Sequence, residues 1–224
     1  AGLRSFDLTM PEEINRIVTD AITDYFFVTE RSAIKNLIHE GKDKGSIHYV
    51  GHVMIDNLFH QLKRMKDSTG SEFPSYEVKR KNPGYAFLTL HRPSNVDNKG
   101  SFAEIAEAIN TIAEERPILF PVHPRTKKMM AVHGIPLVEN VIKLPPLSFR
   151  EALFLWKDAV VVLTDSGGLQ EETTALRVPC LTLRDNTERP ITVEVGSNII
   201  AGKTSQSILS AYREIIGRDT KTFR

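Results

Sequence analysis

A glycine turn between two apolar segments is the clearest sign of chemistry in this sequence. Residues 160–163 form a β-branched apolar run, typical of a strand buried on both faces, and residues 165–168 read Asp-Ser-Gly-Gly. Two glycines let a ligand come close to the backbone. The helix expected next would direct its free N–H groups and the positive end of its dipole at the same place. The turn is therefore a candidate phosphate-binding site.

Polar residues follow this turn and also the next predicted strand, residues 179–183. Residues 170–172 read Gln-Glu-Glu in the first helical turns, where a carboxylate can accept hydrogen bonds from ribose hydroxyls. Residues 184–190 form a polar loop that contains two arginines and a glutamate, at the strand end where open α/β sheets bind ligands. As structure alone, the glutamates are favourable charges near a helix start. The arginines at the same edge favour ligand binding.

Two further predicted strands end in histidine and arginine. Residues 85–90 lead into His91-Arg92, and residues 118–122 lead into His123-Pro124-Arg125. A parallel sheet brings such strand ends to one edge. Arginines and glycine amides suit a diphosphate, and a titratable His91 suits acid–base chemistry near neutral pH. Glycosyltransferases that use sugar nucleotides would show the same edge, so the residues alone leave that alternative open.

The elements that position these residues alternate between strand and helix, which predicts an α/β fold with a doubly wound parallel sheet. The predicted strands are residues 24–29, 48–51, 85–90, 118–122, 141–144, 160–163, 179–183 and 198–201. The predicted helices begin near Pro11 and after the glycine turn, and cover residues 32–40, 55–66, 101–115, 149–156 and 205–216.

Composition excludes several classes of function. The 224 residues carry a net charge of +1, which gives no indication of nucleic-acid binding. Cys180 is the single cysteine, so an internal disulfide is excluded, and no His, Cys or carboxylate pair has a metal-site spacing. No apolar run approaches the roughly 20 residues of a membrane span. Without a recognisable signal peptide, we expect a cytoplasmic location and no membrane partner.

Several sequence blocks resemble one enzyme family. T-D-S-G-G-L-Q-E-E, P-C-L-T-L-R-D-N-T-E-R-P and V-G-S-N look like the signature of the non-hydrolysing UDP-N-acetylglucosamine 2-epimerases, and A-G-L-R-S, P-E-E-I-N-R, T-L-H-R-x-x-N and P-V-H-P-R-T extend the match. The resemblance implies two Rossmann-like domains of the GT-B type. It also implies interconversion of UDP-N-acetylglucosamine and UDP-N-acetylmannosamine by anti elimination and re-addition of UDP. The implied partner is a UDP-sugar, with no cofactor or metal, and the family suggests a homodimer.

The resemblance also assigns roles to individual residues. The catalytic residues it implies are Glu12, Arg16 and His91. The substrate-binding residues it implies are Arg4, His123, Ser166, Gly167, Gly168, Glu172 and Arg189. Within this set, the family places Ser166 to Gly168 at the diphosphate, Glu172 at the ribose and Arg189 at a phosphate. Without the resemblance, Glu12 would be no more than a charge at a helix start.

The match begins inside the family sequence, which implies a truncated enzyme. The expected parts are a remnant of the amino-terminal domain (1–66), a linker (67–83), a UDP-binding domain (84–202) and a terminal helix (203–224). The family's first βα loop and a catalytic aspartate would lie before Ala1, so activity of this chain alone is left open. The alternatives are a UDP-sugar glycosyltransferase or hydrolysing epimerase of the GT-B type, or a UDP-binding remnant without turnover.

Overall fold

The structure, a computed structural model, describes residues 1–8, 10–66 and 69–219 of the chain. It divides into two compact units, Ala1–His60 and Gln61–Arg224. Among the described residues, no helix combines the length and the apolar character needed to cross a membrane.

The first unit contains a two-stranded parallel sheet and helices. Its elements and the helix that follows them are α1 (Pro11–Ala21), β1 (Phe26–Val28), α2 (Arg31–His39), a 3-10 turn (Lys44–Ser46), β2 (Ile47–Tyr49) and α3 (Val53–Met65). Strand β1 pairs in parallel with β2. Phe26 and Val28 of β1 pack against Ala33 and Leu37 of α2 to form a small core.

The second unit is built on a longer series of alternating elements. Its strands are β3 (Ala86–Thr89), β4 (Ile118–Pro121), β5 (Val141–Leu144), β6 (Val161–Thr164), β7 (Cys180–Thr182) and β8 (Asn198–Ile200). Its helices are α4 (Tyr76–Lys81), α5 (Pro93–Val96), α6 (Lys99–Glu115), α7 (Pro124–His133), α8 (Phe149–Trp156), α9 (Gly167–Ala175), α10 (Pro190–Glu194) and α11 (Ser205–Ile216).

The six strands of this unit form one parallel sheet. Their order is β5-β4-β3-β6-β7-β8, so the chain winds outward from β3 in one direction and from β6 in the other. This order confirms the doubly wound parallel sheet that the sequence predicts. Ligands of such sheets bind at the carboxyl ends of the strands where the winding reverses, which is here between β3 and β6.

Apolar side chains explain why the sheet forms. All four residues of β6 are buried, as expected for a strand that is covered on both faces. One large core joins the sheet to α6 and α11, with Phe102 and Ile109 from α6 and Ile208 from α11. This core fixes the strands, and the strands in turn fix the loops at their carboxyl ends.

Proline begins three short helices at this edge that the sequence analysis treats as loops. Helices α5, α7 and α10 begin at Pro93, Pro124 and Pro190, immediately after the polar residues that follow β3, β4 and β7. Proline suits the first helical position because its fixed φ matches the helix and its missing N–H is not needed there. The sequence lacks the longer apolar periodicity that predicts a helix, so only the proline signals these starts.

The polar segment predicted as a linker, residues 67–83, contains packed structure, although its first two residues lie outside the described part of the chain. Helix α4 lies within it, and the ring of Phe73 contacts that of Phe154, with 5.1 Å between centroids. Its glycine and prolines are turn signals, but they do not exclude packing. The predicted boundaries, including the terminal segment 203–224 that ends outside the described residues, stay predictions.

Candidate functional site

The loops after β3 and β6 meet at the centre of the sheet edge. Asp165, which directly follows β6, is fully buried and lies 2.9 Å from His91 Nδ1 through its Oδ1 atom. Its other oxygen accepts the backbone N–H groups of His91 at 2.9 Å and Arg92 at 2.7 Å. The hydrogen bond to Asp165 raises the pKa of His91, although burial and Arg92 oppose the increase. His91 therefore favours its charged form more than a free histidine does.

His123, at the end of β4, lies beside this pair. Its ring centroid is 5.7 Å from that of His91. Its Nδ1 atom accepts the backbone N–H of Arg125 at 3.2 Å, which caps helix α7. The capping bond requires an unprotonated Nδ1, so the neutral ring carries its proton on Nε2. His123 thus has a structural task at the helix start in addition to its place beside His91.

The glycine turn lies next along the edge, where α9 begins. Ser166 is the N-cap residue of α9, and its backbone N–H donates to Thr164 Oγ1 at 3.0 Å. A Cβ atom added to Gly167 would lie 2.6 Å from Glu188 Oε1, so a larger residue here would displace the end of the Glu188 side chain. Gly168 follows in the first turn of the helix. The free backbone N–H groups of the turn and the positive end of the helix dipole can bind an anion, which agrees with the phosphate site proposed from the sequence.

Two arginines hold Glu188 at this position. Arg184 Nη1 donates to Glu188 Oε2 at 2.7 Å, and Arg92 Nη2 donates to Oε1 at 3.4 Å. Burial alone would raise the pKa of Glu188, but Arg184 and Arg92 outweigh it and lower that pKa. The edge therefore has two guanidinium groups that are fixed by one carboxylate, close to the amides of α9.

A second charged group lies on the first turns of α9. Glu171 is buried and pairs with Arg189, with 3.1 Å between Oε2 and Nε. Glu172 is only 7% exposed, and its carboxylate has no hydrogen bond or ion pair within the described residues. Burial and the neighbouring charge of Glu171 raise the pKa of Glu172 to about 7. A buried carboxylate without a donor is a ready acceptor for ligand hydroxyl groups.

Hydrogen bonds fix the loop that carries Arg189. Thr187 donates its hydroxyl to Gln170 Oε1 at 2.6 Å, and the Arg189 backbone N–H donates to Thr187 Oγ1 at 3.0 Å. Gln170 is itself fully buried on α9. The loop after β7 is thus tied to α9 through Gln170, and the ion pair between Glu171 and Arg189 joins the same two segments.

The remaining predicted residues belong to the first unit. Glu12 is exposed on α1, whereas its neighbour Glu13 is buried and accepts Arg16 Nη2 at 2.9 Å. Arg4 is buried and pairs with Asp20 at 2.8 Å and Glu40 at 2.7 Å. These contacts give Arg4 and Arg16 structural partners inside the unit. Their roles, and that of Glu12, stay predictions from the resemblance.

The second unit contains seven of the predicted residues, which are His91, His123, Ser166, Gly167, Gly168, Glu172 and Arg189. Contacts join His91 to His123, a Cβ atom at Gly167 would meet Glu188, and Arg189 is joined to α9 through Glu171. The predicted set omits Asp165, Asn95 and Glu188, which fix these residues. Asn95 is fully buried and donates to Leu183 O at 2.9 Å and to Asp165 Oδ2 at 3.3 Å. A carboxylate directly after a buried strand and the spacing of H-R-x-x-N are the sequence signals that point to Asp165 and Asn95.

The arrangement can bind an anion and exchange a proton beside it. Backbone amides at the start of α9 and the nearby guanidinium groups provide positive potential, and His91 provides a titratable group held by Asp165. Within the described residues, no group of three His, Cys, Asp or Glu side chains is arranged to hold a metal ion. The acceptor at Glu172 suits the hydroxyl groups of a ligand that also carries phosphate.

The sequence matches a known family profile and several curated relatives. A sequence profile described as UDP-N-acetylglucosamine 2-epimerase matches residues 1–223. The chain is 42% identical over 226 residues to the UDP-N-acetylglucosamine 2-epimerase of Methanocaldococcus jannaschii, covering 97% of this chain and 61% of the relative. It is 37% identical to the UDP-2,3-diacetamido-2,3-dideoxy-D-glucuronate 2-epimerase of Pseudomonas aeruginosa, covering 97% of this chain and 60% of the relative.

Solved structures show the same similarity. The M. jannaschii UDP-GlcNAc 2-epimerase in complex with UDP-GlcNAc and UDP matches with a TM-score of 0.90 and 40% identity, over 98% of this chain and 62% of that one. The Neisseria meningitidis enzyme bound to UDP-GlcNAc matches with a TM-score of 0.88 and 27% identity, over 100% and 62%. These matches confirm the predicted Rossmann-like fold of the GT-B type. The chain spans about 60% of the length of the curated relatives it matches.

Proposed function

The chain belongs to the UDP-N-acetylglucosamine 2-epimerase family, and on that premise we propose that it carries the UDP-binding part of an enzyme that interconverts UDP-N-acetylglucosamine and UDP-N-acetylmannosamine. The observation that supports this most is the sheet edge of the second unit. There the His91–Asp165 pair, the start of α9 and the Glu172–Glu171–Arg189 group lie on loops that follow neighbouring strands. These groups match the charge and hydroxyl pattern of a nucleoside diphosphate.

In the proposed binding mode, each group has one task. The diphosphate lies at Ser166, Gly167 and Gly168, where amides and the helix dipole stabilise negative charge. Glu172 accepts hydrogen bonds from the ribose hydroxyls, which supply the donors that its buried carboxylate lacks. Arg189, held by Glu171, faces a phosphate, and His91 and His123 complete the positive edge.

The proposed reaction removes and restores UDP. A base takes the proton from C2 of the sugar, the C1–O bond breaks with its electron pair leaving on UDP, and a C1–C2 double bond forms. UDP then adds back to C1 and a proton returns to the other face of C2, so the reaction needs no net oxidant or reductant. From the resemblance, we assign catalytic roles to Glu12, to Arg16 and to His91, which acts in acid–base chemistry or contacts the diphosphate. We assign substrate contact to Arg4.

The sugar is proposed as a 2-acetamido hexose because the relatives are named for such substrates. The M. jannaschii relative is named for UDP-N-acetylglucosamine and the P. aeruginosa relative for a diacetamido glucuronate, and identity is higher to the former. A homodimer and a cytoplasmic location stay predictions from the sequence. A UDP-binding chain without turnover is the second candidate, because Arg4 and Arg16 are already paired with carboxylates of the first unit.

Calorimetry with UDP tests the binding site directly. We expect Glu172→Ala and Arg189→Ala each to weaken UDP binding by about tenfold or more, because each removes one charge-assisted interaction of about 1.5–3 kcal/mol. Glu107→Ala and Arg213→Ala are matched controls, since both residues are exposed on helices α6 and α11. Unchanged affinity in both site variants, or equal losses in the controls, would remove the proposed site.

Solvent deuterium distinguishes the possible reactions once UDP binding is established. Epimerisation incorporates deuterium at C2 of UDP-N-acetylglucosamine and yields UDP-N-acetylmannosamine. A hydrolysing enzyme releases the sugar, and a glycosyltransferase leaves C2 without deuterium. If UDP binds and C2 stays unlabelled without release of sugar, the chain is a UDP-binding protein without turnover.

A further inference from the structure

Within the described residues, the Asp165 carboxylate contacts only the loop that follows β3 and helix α5. It is fully buried, and its Oδ2 atom accepts the backbone N–H groups of His91 and Arg92 and the amide of Asn95. The Oδ1 atom has a different partner, since it lies 2.9 Å from His91 Nδ1. One oxygen thus holds the loop, and the other holds the imidazole ring.

We propose that Asp165 is the positioning residue of the site, which fixes His91 with its proton on Nδ1 so that Nε2 faces the leaving diphosphate. The inference rests on the proposed function, because the diphosphate is the ligand that Nε2 would serve. A carboxylate can accept a hydrogen bond but cannot donate one, so the 2.9 Å contact requires a proton on His91 Nδ1. That requirement selects one of the two neutral tautomers and orients the ring.

The charged groups around His91 support this assignment. The hydrogen bond that His91 donates to Asp165 raises the pKa of His91, while burial and the charge of Arg92 oppose the increase. The ring centroid of His123 lies 5.7 Å from that of His91, and its Nδ1 accepts the backbone N–H of Arg125 at the start of α7. Asp165 keeps a lowered pKa, because its bonds to His91 and to backbone N–H groups outweigh the effect of burial. The pair therefore favours imidazolium next to carboxylate.

This arrangement gives His91 a defined task during departure of UDP. As the C1–O bond breaks, negative charge grows on the diphosphate oxygen, and an imidazolium Nε2–H stabilises it or transfers its proton to it. The same proton returns to Nε2 when UDP adds back to C1, so His91 ends each cycle in its starting state. Asp165 touches no reacting atom in this scheme and acts only through the ring that it holds.

Nitrogen-15 spectroscopy of the histidine rings tests the inference in the chain without any ligand. His91→Gln identifies the His91 signals by their loss. We expect neutral wild-type His91 to carry its proton on Nδ1 and to titrate above the ordinary value of 6.5. In Asp165→Asn, we expect the pKa of His91 to fall by about one unit, because the carboxylate that stabilised the cation is gone. An amide NH₂ facing Nδ1 also moves the neutral proton to Nε2.

A matched control separates this bond from general charge effects. Asp97→Asn removes a carboxylate from an exposed position near the same loop without a contact to His91, so the pKa and tautomer of His91 should stay as in the wild type. An equal shift in this control would overturn the inference. So would a wild-type ring with its neutral proton on Nε2, and this measurement does not depend on whether Asp165→Asn folds.

Calorimetry with UDP at two pH values separates positioning from a purely structural role. At pH 7.5 we expect Asp165→Asn to bind UDP about tenfold more weakly than the wild type, because less of its His91 is charged. At a pH below the His91 pKa that the titration gives for both proteins, the ring is protonated in each, so the ratio of affinities should approach one. A ratio that is the same at both pH values would mean that Asp165 only supports the loop. If wild-type chain fails to bind UDP, the proposed function fails while the tautomer measurement still stands or falls on its own.

Discussion

The two units bury charge in different ways. In the first unit, Arg4 uses Nε, Nη1 and Nη2 in hydrogen bonds to Glu40, to its neighbour's carbonyl and to Asp20. In the second unit, Glu172 is similarly buried, yet within the described residues its carboxylate has no hydrogen bond or ion pair. All three guanidinium nitrogens of Arg4 are hydrogen-bonded within the fold, whereas the carboxylate oxygens of Glu172 can still accept hydrogen bonds.

This difference indicates where stability and binding are located. A buried charge with all its partners supports the fold only while every partner is present, because removal of one leaves the others uncompensated. A buried carboxylate without donors costs stability in the absence of ligand, and a ligand that supplies donors regains that cost. We therefore expect the first pattern to support the fold, and we propose that the second belongs to a binding site. The following variants test this distinction, from the largest expected effect to the smallest.

The largest loss of stability is expected on substitution in the cluster of Arg4, Asp20 and Glu40. Asp20→Ala removes a partner of Arg4 from a pair whose side chains are 2% and 5% exposed, so we expect a loss of about 3 kcal/mol in the free energy of unfolding. Glu40→Ala is the control, because its side chain is 34% exposed and water can replace it, and we expect a smaller loss. Urea denaturation of the whole chain measures both. Equal losses would mean that burial does not distinguish the two partners.

Replacement of the Glu172 carboxylate should increase the free energy of unfolding rather than lower it. The pKa of Glu172 is about 7 in the folded chain and near 4.5 when unfolded, so the folded state holds the proton more tightly between these values. Stability therefore falls as pH rises from about 4.5 to about 7, by roughly 2–3 kcal/mol. Glu172→Gln stays neutral, so we expect it to be more stable than the wild type at pH 8 by that amount and nearly equal at pH 4.5.

Denaturation of the two proteins across this pH range measures the effect, with Glu107→Gln on the exposed face of α6 as the control. The same variant should bind UDP more weakly at pH 8, because the amide cannot accept from the ribose hydroxyls as a carboxylate does. If Glu172 is a binding residue that lacks partners in the fold, Glu172→Gln should be more stable than the wild type at pH 8 and should bind UDP more weakly. A variant that is destabilised at pH 8 would show that Glu172 has partners in the fold after all.

Substitution of two glycines, one in each unit, should change stability by an intermediate amount. In the first unit, Gly2 has a φ of 74°, and an added Cβ would lie 2.6 Å from the backbone oxygen of Ala33. In the second, the Cβ of Gly167 would meet the end of the Glu188 side chain. Backbone cannot move away as a side chain can, so we expect Gly2→Ala to lose about 2 kcal/mol of stability and Gly167→Ala to lose less.

The readout for Gly167→Ala is therefore affinity rather than stability. If the carboxylate of Glu188 shifts to admit the methyl group, its bonds to Arg184 and Arg92 change, and UDP binding should weaken. Urea denaturation of both variants measures the loss of stability, which we expect to be larger in Gly2→Ala. Calorimetry measures the loss of UDP affinity that we expect in Gly167→Ala. A Gly167→Ala chain with unchanged UDP affinity would separate Glu188 from the binding site.

Much of the fold could be predicted from the sequence because its signals are local. The buried strand at β6 and the amphipathic helix α6 follow from residue order, and their alternation predicts the parallel sheet. The starts of α5 and α10 are missed because helices of four and five residues have too few turns to show periodicity. Helix α7 is longer, but Thr126 is its one buried residue, so it shows no apolar face. The apolar pattern also gives no strand order, which depends on long-range packing.

The candidate site was only partly predictable for a related reason. Glycines and histidines after strands identify positions that face a ligand, so His91 and Gly167 follow from the sequence. The partners that hold them, such as Asp165 and Glu188, come from distant parts of the chain, and only the fold brings them together. The pairing of Arg4 with Asp20 and Glu40 is equally non-local, so the sequence does not show which carboxylates this arginine contacts.

The smallest effect is expected at an exposed ion pair beside the site. Arg125 donates to Asp97, and the two side chains are 46% and 40% exposed, so water and salt screen their attraction. Since neither side chain is buried, the comparison predicts that Asp97→Ala leaves the unfolding midpoint and the UDP affinity unchanged, although Arg125 belongs to the loop that carries His123. Thermal unfolding and calorimetry at low and high salt measure both. A clear loss of UDP affinity would mean that exposed charges at the rim take part in binding, and burial would then no longer separate binding residues from the rest.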